Sequence, residues 1–311
     1  MEKSSVKKLI FIPYAEIEGG TTGANISNRS NRQEIYLKNC AVALTSARRC
    51  NDCDVALVTN IDVPEKYAKL LGDNDIKIFK YPFDKFQFNN EFKWQLAFYK
   101  LCALHYMVND KKYDFYSYLD TDVYVQQSFD NIWLECEQNI MLYDINHGLQ
   151  VPDYRSFLSE VEVFLGNNEN ITHFGGEFFA ASRENAQRFL DACTNVYDEM
   201  ISRGISTTKG DEFIISIVAH GMRALVKNAG AYIYRFWTGA GFRLVSTCYQ
   251  FNQVAILHVP AEKERGIITL YNRYISKGKK VKNETVYKKL HLKRPNLVEL
   301  LKKYIKKVLG R

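Results

Sequence analysis

The stretch Phe115-Tyr116-Ser117-Tyr118-Leu119-Asp120-Thr121-Asp122-Val123-Tyr124-Val125 sets two carboxylates, one residue apart, where an apolar run ends, and apolar residues resume beyond them. A short apolar run that closes on polar residues reads as a buried strand. Burying a carboxylate without a partner costs several kcal/mol, so two together call for a compensating cation. A divalent metal meets that need. Mg²⁺ or Mn²⁺ takes few protein carboxylates and completes its shell with water and phosphate oxygens, such as those of a nucleoside diphosphate. For a bare Asp-x-Asp pair the alternative is a solvated turn at a strand end.

Working outward, residues 90–108 carry Phe92, Leu96, Phe98, Tyr99, Leu101, Cys102 and Leu104 near helical spacing, which predicts a helix ahead of the acidic strand. Upstream, the apolar run 9–12 ends at Pro13-Tyr14 and leads into a Gly/Thr/Asn/Ser-rich loop over 18–32. A helix is expected over 33–49, and strands over 54–59, closing at Asn60, and 76–81. Downstream the pattern predicts strands at 140–143, 177–181, 231–236 and 255–259, with helices at 183–203 and 211–222. Strands alternating with helices imply an α/β fold with a mostly parallel sheet flanked by helices. Ligands of such folds bind beyond the carboxyl ends of the strands.

At 311 residues and 46% hydrophobic content the chain can bury a large core. No run approaches the roughly 18 apolar residues of a membrane span, and the charged start, with its short apolar run, does not read as a signal peptide. A cytoplasmic protein is expected. The seven cysteines are scattered through apolar segments, as reduced thiols are, and Cys50-Asn51-Asp52-Cys53 lacks the second pair of a zinc site. Charge is uneven: residues 273–311 hold 14 Lys and Arg against two acids, net +12 of a chain total of +7, which leaves −5 for residues 1–272. The division expected is a catalytic domain over 1–272 and a basic tail over 273–311. Beyond Pro295, Leu297, Leu300, Leu301, Tyr304, Ile305 and Val308 share one helical face, with Lys302, Lys303, Lys306 and Lys307 on the other. Such a basic amphipathic helix suits an anionic membrane surface, here the inner face, or else packs on the domain. The acidic body and the lack of a binding motif argue against nucleic acid as a partner.

A helix ending in Tyr99-Lys100-Leu101, shortly before Leu119-Asp120-Thr121-Asp122, resembles the GT-A glycosyltransferases, whose Asp-x-Asp motif holds the metal of a bound nucleotide sugar. Gly175-Gly176-Glu177-Phe178-Phe179-Ala180-Ala181-Ser182, a helix, then Gly210-Asp211-Glu212-Phe213-Ile214 resembles the retaining blood-group and α1,3-galactosyl transferases. Ile256-Leu257-His258-Val259-Pro260-Ala261-Glu262-Lys263 is similar to the C-terminal strand of the glycogenin-like transferases, although the interval from His to Lys is one residue shorter and lacks their intervening Gly.

The resemblance implies a Mn²⁺ or Mg²⁺ site at Asp120, Asp122 and His258, with Asp122 the more direct ligand and Asp120 sharing the metal or the ribose. Lys263 and Lys100 would stabilise the leaving diphosphate. A uracil or other base would lie near Pro13 and Tyr14, with Asn60 offering amide hydrogen bonds. Gly175 and Gly176 would let backbone approach the donor sugar, and Glu177 would bind its hydroxyls; a tight turn before a strand is the plainer account of the glycines. Asp211 and Glu212 open a helix, where capping alone explains the first acid and not the second. One of them would face the anomeric carbon, as base in an inverting enzyme or as nucleophile or charge stabiliser in a retaining one; the resemblance favours retention. The expected activity is transfer from a nucleotide sugar, a UDP-sugar above others, to a surface glycan or glycolipid such as lipopolysaccharide or capsule. Two alternatives stand. A metal-dependent nucleotidyltransferase or phosphohydrolase would want a basic phosphate loop, yet Gly19-Gly20-Thr21-Thr22-Gly23 is followed by no Lys until Lys38. A non-catalytic carbohydrate-binding protein would use the 14% aromatic content and leave the three polar sets without a shared purpose.

Overall fold

The structure is a computed structural model that describes residues 6–17, 26, 31–88, 94–146, 149–238, 251–293, 301 and 305. Its centre is β1 (Lys8–Tyr14), buried at every position after the first. A strand buried on both faces needs cover on both, and side chains alternate to supply it. Ile10, Ile12 and Tyr14 face one core, Leu9 and Phe11 the other. β1 pairs in parallel with β2 (Asp54–Thr59) and β4 (Phe115–Leu119), and β2 with the exposed edge strand β3 (Lys77–Lys80). Beyond β4, β7 (Phe174–Ser182) runs antiparallel to it and to β6 (Ile140–Asp144), which pairs in parallel with β8 (Val226–Asn228). Among the described residues the order is β3-β2-β1-β4-β7-β6-β8. A second sheet, β5-β10-β9, joins β5 (Val123–Val125), β10 (Ile256–His258) and β9 (Ile233–Arg235).

The first core packs α1 (Arg32–Cys50), α2 (Glu65–Gly72), α4 (Ile132–Cys136), the small sheet, α8 (Gly266–Arg273) and α9 (Asn283–Lys289) against one face. The second packs α3 (Tyr99–Asn109), α5 (Pro152–Leu165), α6 (Arg183–Ser202) and α7 (Asp211–Gly221) against the other. Asn31 starts α1 by accepting a hydrogen bond from the Glu34 amide at 3.1 Å. The architecture is the expected α/β class, a mostly parallel sheet with helices on both faces.

Four expectations are corrected. Gly175 and Gly176 lie inside β7, paired with β6 near a bulge, and make no turn before it. Tyr99-Lys100-Leu101 begins α3, after a 3-10 turn at Gln95–Phe98, and does not end a helix. The runs 231–236 and 255–259 build the small sheet instead of extending the large one. The packed body continues past residue 272, because Ile275, Val281, Val286, Leu290 and Leu292 are buried in the first core and so cannot serve a free tail. Of the expected tail helix, Leu301 and Ile305 are helical and exposed. Its other positions, and most of the loop over 18–32, lie outside the described residues. Among the described residues no helix is long and apolar enough to cross a membrane.

Candidate active site

Asp120-Thr121-Asp122 is the turn by which the chain passes from β4 in the large sheet to β5 in the small one. Register then assembles the neighbours. The Asp120 amide donates to the Glu177 carbonyl at 3.0 Å, extending the β4–β7 ladder, while Thr121 N–H closes on Asp120 Oδ1 at 2.7 Å. In the small sheet His258 pairs with Val123 on one side and Arg235 on the other, and the Val259 amide donates to the Asp122 carbonyl at 3.0 Å. Ligand atoms of Asp120, Asp122 and His258 thereby come within 4.8 Å of one another.

Asp122 is fully buried, and Oδ1 has no hydrogen-bond partner. Its Oδ2 meets Lys263 Nζ at 3.0 Å and His258 Nε2 at 3.4 Å as ion pairs. Burial works to raise its pKa, but the charges of Lys263 and His258 overcome it and hold the carboxyl well below its usual range. On its other side His258 sets Nδ1 3.1 Å from Glu177 Oε1. Burial would lower the imidazole pKa; its two carboxylate neighbours instead push it up to about 9. The donor set fits a divalent cation: two carboxylates, one with an orphaned buried oxygen, and an imidazole whose far nitrogen is held by a second carboxylate.

Glu177 does not reach the cleft. It is buried against Arg235, which grips it at 2.7 Å (Nε to Oε1) and 2.6 Å (Nη2 to Oε2). Burial raises its pKa, and Arg235 and His258 bring it well below the ordinary value. The same guanidinium reaches Glu212 Oε1 at 3.0 Å, and His173 Nε2 lies 3.2 Å from Glu212 Oε2. Against burial, Arg235 and then His173 lower the Glu212 carboxyl to about 2. His173 is fixed by stacking on Phe157, ring centres 4.1 Å apart and nearly parallel at 4°. Asp211 is paired with Lys100 at 2.9 Å, yet burial, joined by Glu212 and Asp120, outweighs that lysine and pushes it up to about 6.

The glycines make room for these charges. A Cβ on Gly175 would strike the Glu177 carboxylate and come 2.8 Å from Arg235 Nη2, while one on Gly176 would strike Asp211 and come 2.7 Å from Lys100 Nζ. Side chains deny them a Cβ, and backbone conformation does not. Asn60 is also committed locally: its amide accepts from the Glu16 N–H at 2.9 Å and donates to the Glu16 carbonyl at 2.7 Å, fixing the chain beyond β1. Tyr14 gives its hydroxyl to the Glu16 side chain and stacks on Tyr36 at 5.6 Å.

A cleft of about 530 Å³ opens over this assembly, lined by Pro13, Tyr14, Tyr36, Lys100, Asp120, Asp211, Glu212, His258 and Lys263 among others. Glu212 is 23% exposed there and Asp211 2%. The structure therefore gathers Pro13, Tyr14, Lys100, Asp120, Asp211, Glu212, His258 and Lys263 around one cavity, with Asp122 buried beside them, while Asn60, Glu177 and the glycines are outside its lining. Sequence reading missed Arg235 and His173. A lone Arg inside the apolar run 231–236 was the available signal for the first; His173 offered none.

No protein-family model matches the chain and no curated protein matches it. Among solved structures it is similar to mouse xyloside xylosyltransferase 1 in its apo form, with TM-score 0.52 and 12% identity, over 81% of this chain and 97% of that one. At that identity the likeness is one of fold.

Proposed function

We propose that this chain is a metal-dependent glycosyltransferase, moving a sugar from a nucleotide sugar, above all a UDP-sugar, to a glycan or glycolipid acceptor. The carrying observation is Asp122, a buried carboxylate with an orphaned oxygen, grouped with Asp120 and His258 at a cleft of ligand size. Asp120, Asp122 and His258 would hold Mn²⁺ or Mg²⁺, which when bound supplies Lewis-acid neutralisation of the leaving diphosphate. The rest is done by side chains. Glu177 orients His258 by taking its Nδ1 proton in a hydrogen bond, which leaves Nε2 toward Asp122. Lys263, lining the cleft, offers an ammonium to phosphate oxygens. The base of the nucleotide is assigned to the Pro13–Tyr14 end, with Asn60 supporting it from below through the Glu16 backbone.

Glu212 is the acid we place against the anomeric carbon, since it is the more exposed of the pair. Held ionised by Arg235 and His173, it is a poor proton acceptor at neutral pH and a good fixed anion for positive charge developing on the sugar. That supports a retaining outcome. Asp211 and Lys100 brace the same wall. The basic tail, with Leu301 and Ile305 exposed, is assigned to anionic lipid at the inner face of the membrane, where glycolipid acceptors lie.

A panel of nucleotide sugars incubated with Mn²⁺ tests the reading, with nucleotide release and the anomeric configuration of the product followed by NMR. Release from one donor, with the anomer retained, is expected. Release from none, or at an unchanged rate in EDTA, would sink it.

A further inference from the structure

The cleft has a second half that the metal and nucleotide do not use. Trp94, Asp153, Thr208, Lys209 and Trp237 line it, with Lys209 and Gly210, which lies against Trp94, leading directly into the helix that carries Glu212. We infer that this half is the acceptor subsite, and that the acceptor presents a neutral sugar ring which stacks on Trp237 while Asp153 and Lys209 read its hydroxyls; the inference rests on the proposed glycosyl transfer.

Trp237 is 48% exposed, whereas the described large aromatics are for the most part buried. Its neighbours are pinned: the Phe236 amide donates to the His258 carbonyl at 2.7 Å, and the Thr238 hydroxyl donates to the buried Glu262 carboxylate. The backbone is thus held by the β10 edge, and an indole left on a fixed rim costs little conformational freedom when a ligand covers it. Trp237 is two residues beyond Arg235, just past the end of β9, and both side chains line the cleft. Arg235 holds Glu212, so the indole shares the cleft with the carboxylate assigned to the anomeric carbon.

The polar groups here differ in kind from those of the nucleotide half. Lys209 is nearly buried and gives its ammonium to Asp153 Oδ1 at 2.6 Å, while Asp153 stays mostly exposed. Lys209 is joined to α7 through Gly210, whose φ of +65° turns the chain against Trp94. A self-neutralised pair on a rigid mount has no net charge to attract a phosphate or a polyanion, but it has free acceptor lone pairs for hydroxyls. With an aromatic face beside it, that is a site for a polyol carrying an apolar ring face.

The test uses the full chain with MnCl₂ and UDP, probed by saturation-transfer NMR with methyl glucosides, galactosides, mannosides and xylosides and their disaccharides. At least one sugar should receive saturation, and Trp237→Ala should remove it. In turnover, Trp237→Ala should raise the acceptor KM about tenfold, with the loss falling on acceptor KM and not donor KM, and Trp237→Phe should restore most of it. Asp153→Asn should change which glycoside is preferred. Nucleotide-sugar turnover without any sugar binding, or sugar binding indifferent to Trp237→Ala and Asp153→Asn, overturns the subsite and leaves the transferase reading standing. Absence of nucleotide-sugar turnover overturns both.

Discussion

Asp122 and Asp211 are both buried aspartates, each with a lysine about one hydrogen-bond length away at the same cleft, and they titrate in opposite directions. Around Asp122 two cations, Lys263 and His258, converge on a single carboxylate and defeat burial. Around Asp211 one cation, Lys100, faces a carboxylate that already has Glu212 next door and Asp120 nearby, and burial wins. The number of cations per acid, more than depth, decides the charge. Asp122 is therefore ionised throughout the physiological range, whereas Asp211 is poised near neutrality.

The largest break of this contrast is Asp122→Ala. It should lower transfer on the order of 10³-fold and abolish metal-dependent nucleotide binding, by the loss expected for a main electrostatic stabiliser, with circular dichroism unchanged. Glu177→Gln keeps the shape of the second carboxylate and removes its charge; Mn²⁺ affinity, measured by calorimetry, should fall about 10- to 100-fold while Asp122 is left in place. Asp211→Asn sharpens the other end. A carboxyl titrating at about 6 is ionised above that pH, so wild-type kcat/KM should fall as pH drops through 6, and the variant, with no charge to lose, should lack that limb. The smallest effect is expected from removing everything after residue 293, where the two described side chains, Leu301 and Ile305, are exposed. Mn²⁺ affinity and the acid limb should stay as they are, stability should move by less than about 0.5 kcal/mol, and binding to anionic liposomes should disappear. Cutting after 275 instead strips Val286, Leu290 and Leu292 from the core and should unfold the protein.

Much of the frame is legible in the sequence because its central strands are uninterrupted apolar runs with polar ends. The strands Asp54–Thr59 and Phe115–Leu119 occupy the residues their patterns indicate, and Asp120, Asp122 and His258 are brought together as the resemblance implied. What stayed hidden depends on contacts between distant segments. Gly175-Gly176 has the local chemistry of a turn, and only the carboxylates pressed against it from Glu177 and Asp211 explain glycines in a strand. Glu177 and Asn60 look free to meet a ligand until Arg235, His258 and the Glu16 backbone are seen to occupy them. Asp153, Lys209 and Trp237 come from three separated segments that no periodicity connects.

The central claim, a cation held by Asp120, Asp122 and His258, is tested most directly by electron paramagnetic resonance titration of Mn²⁺ into wild-type protein and Asp122→Asn, each with UDP present. One bound Mn²⁺ per wild-type chain, lost in the variant, is the predicted result. Equal Mn²⁺ binding by the two proteins would contradict it.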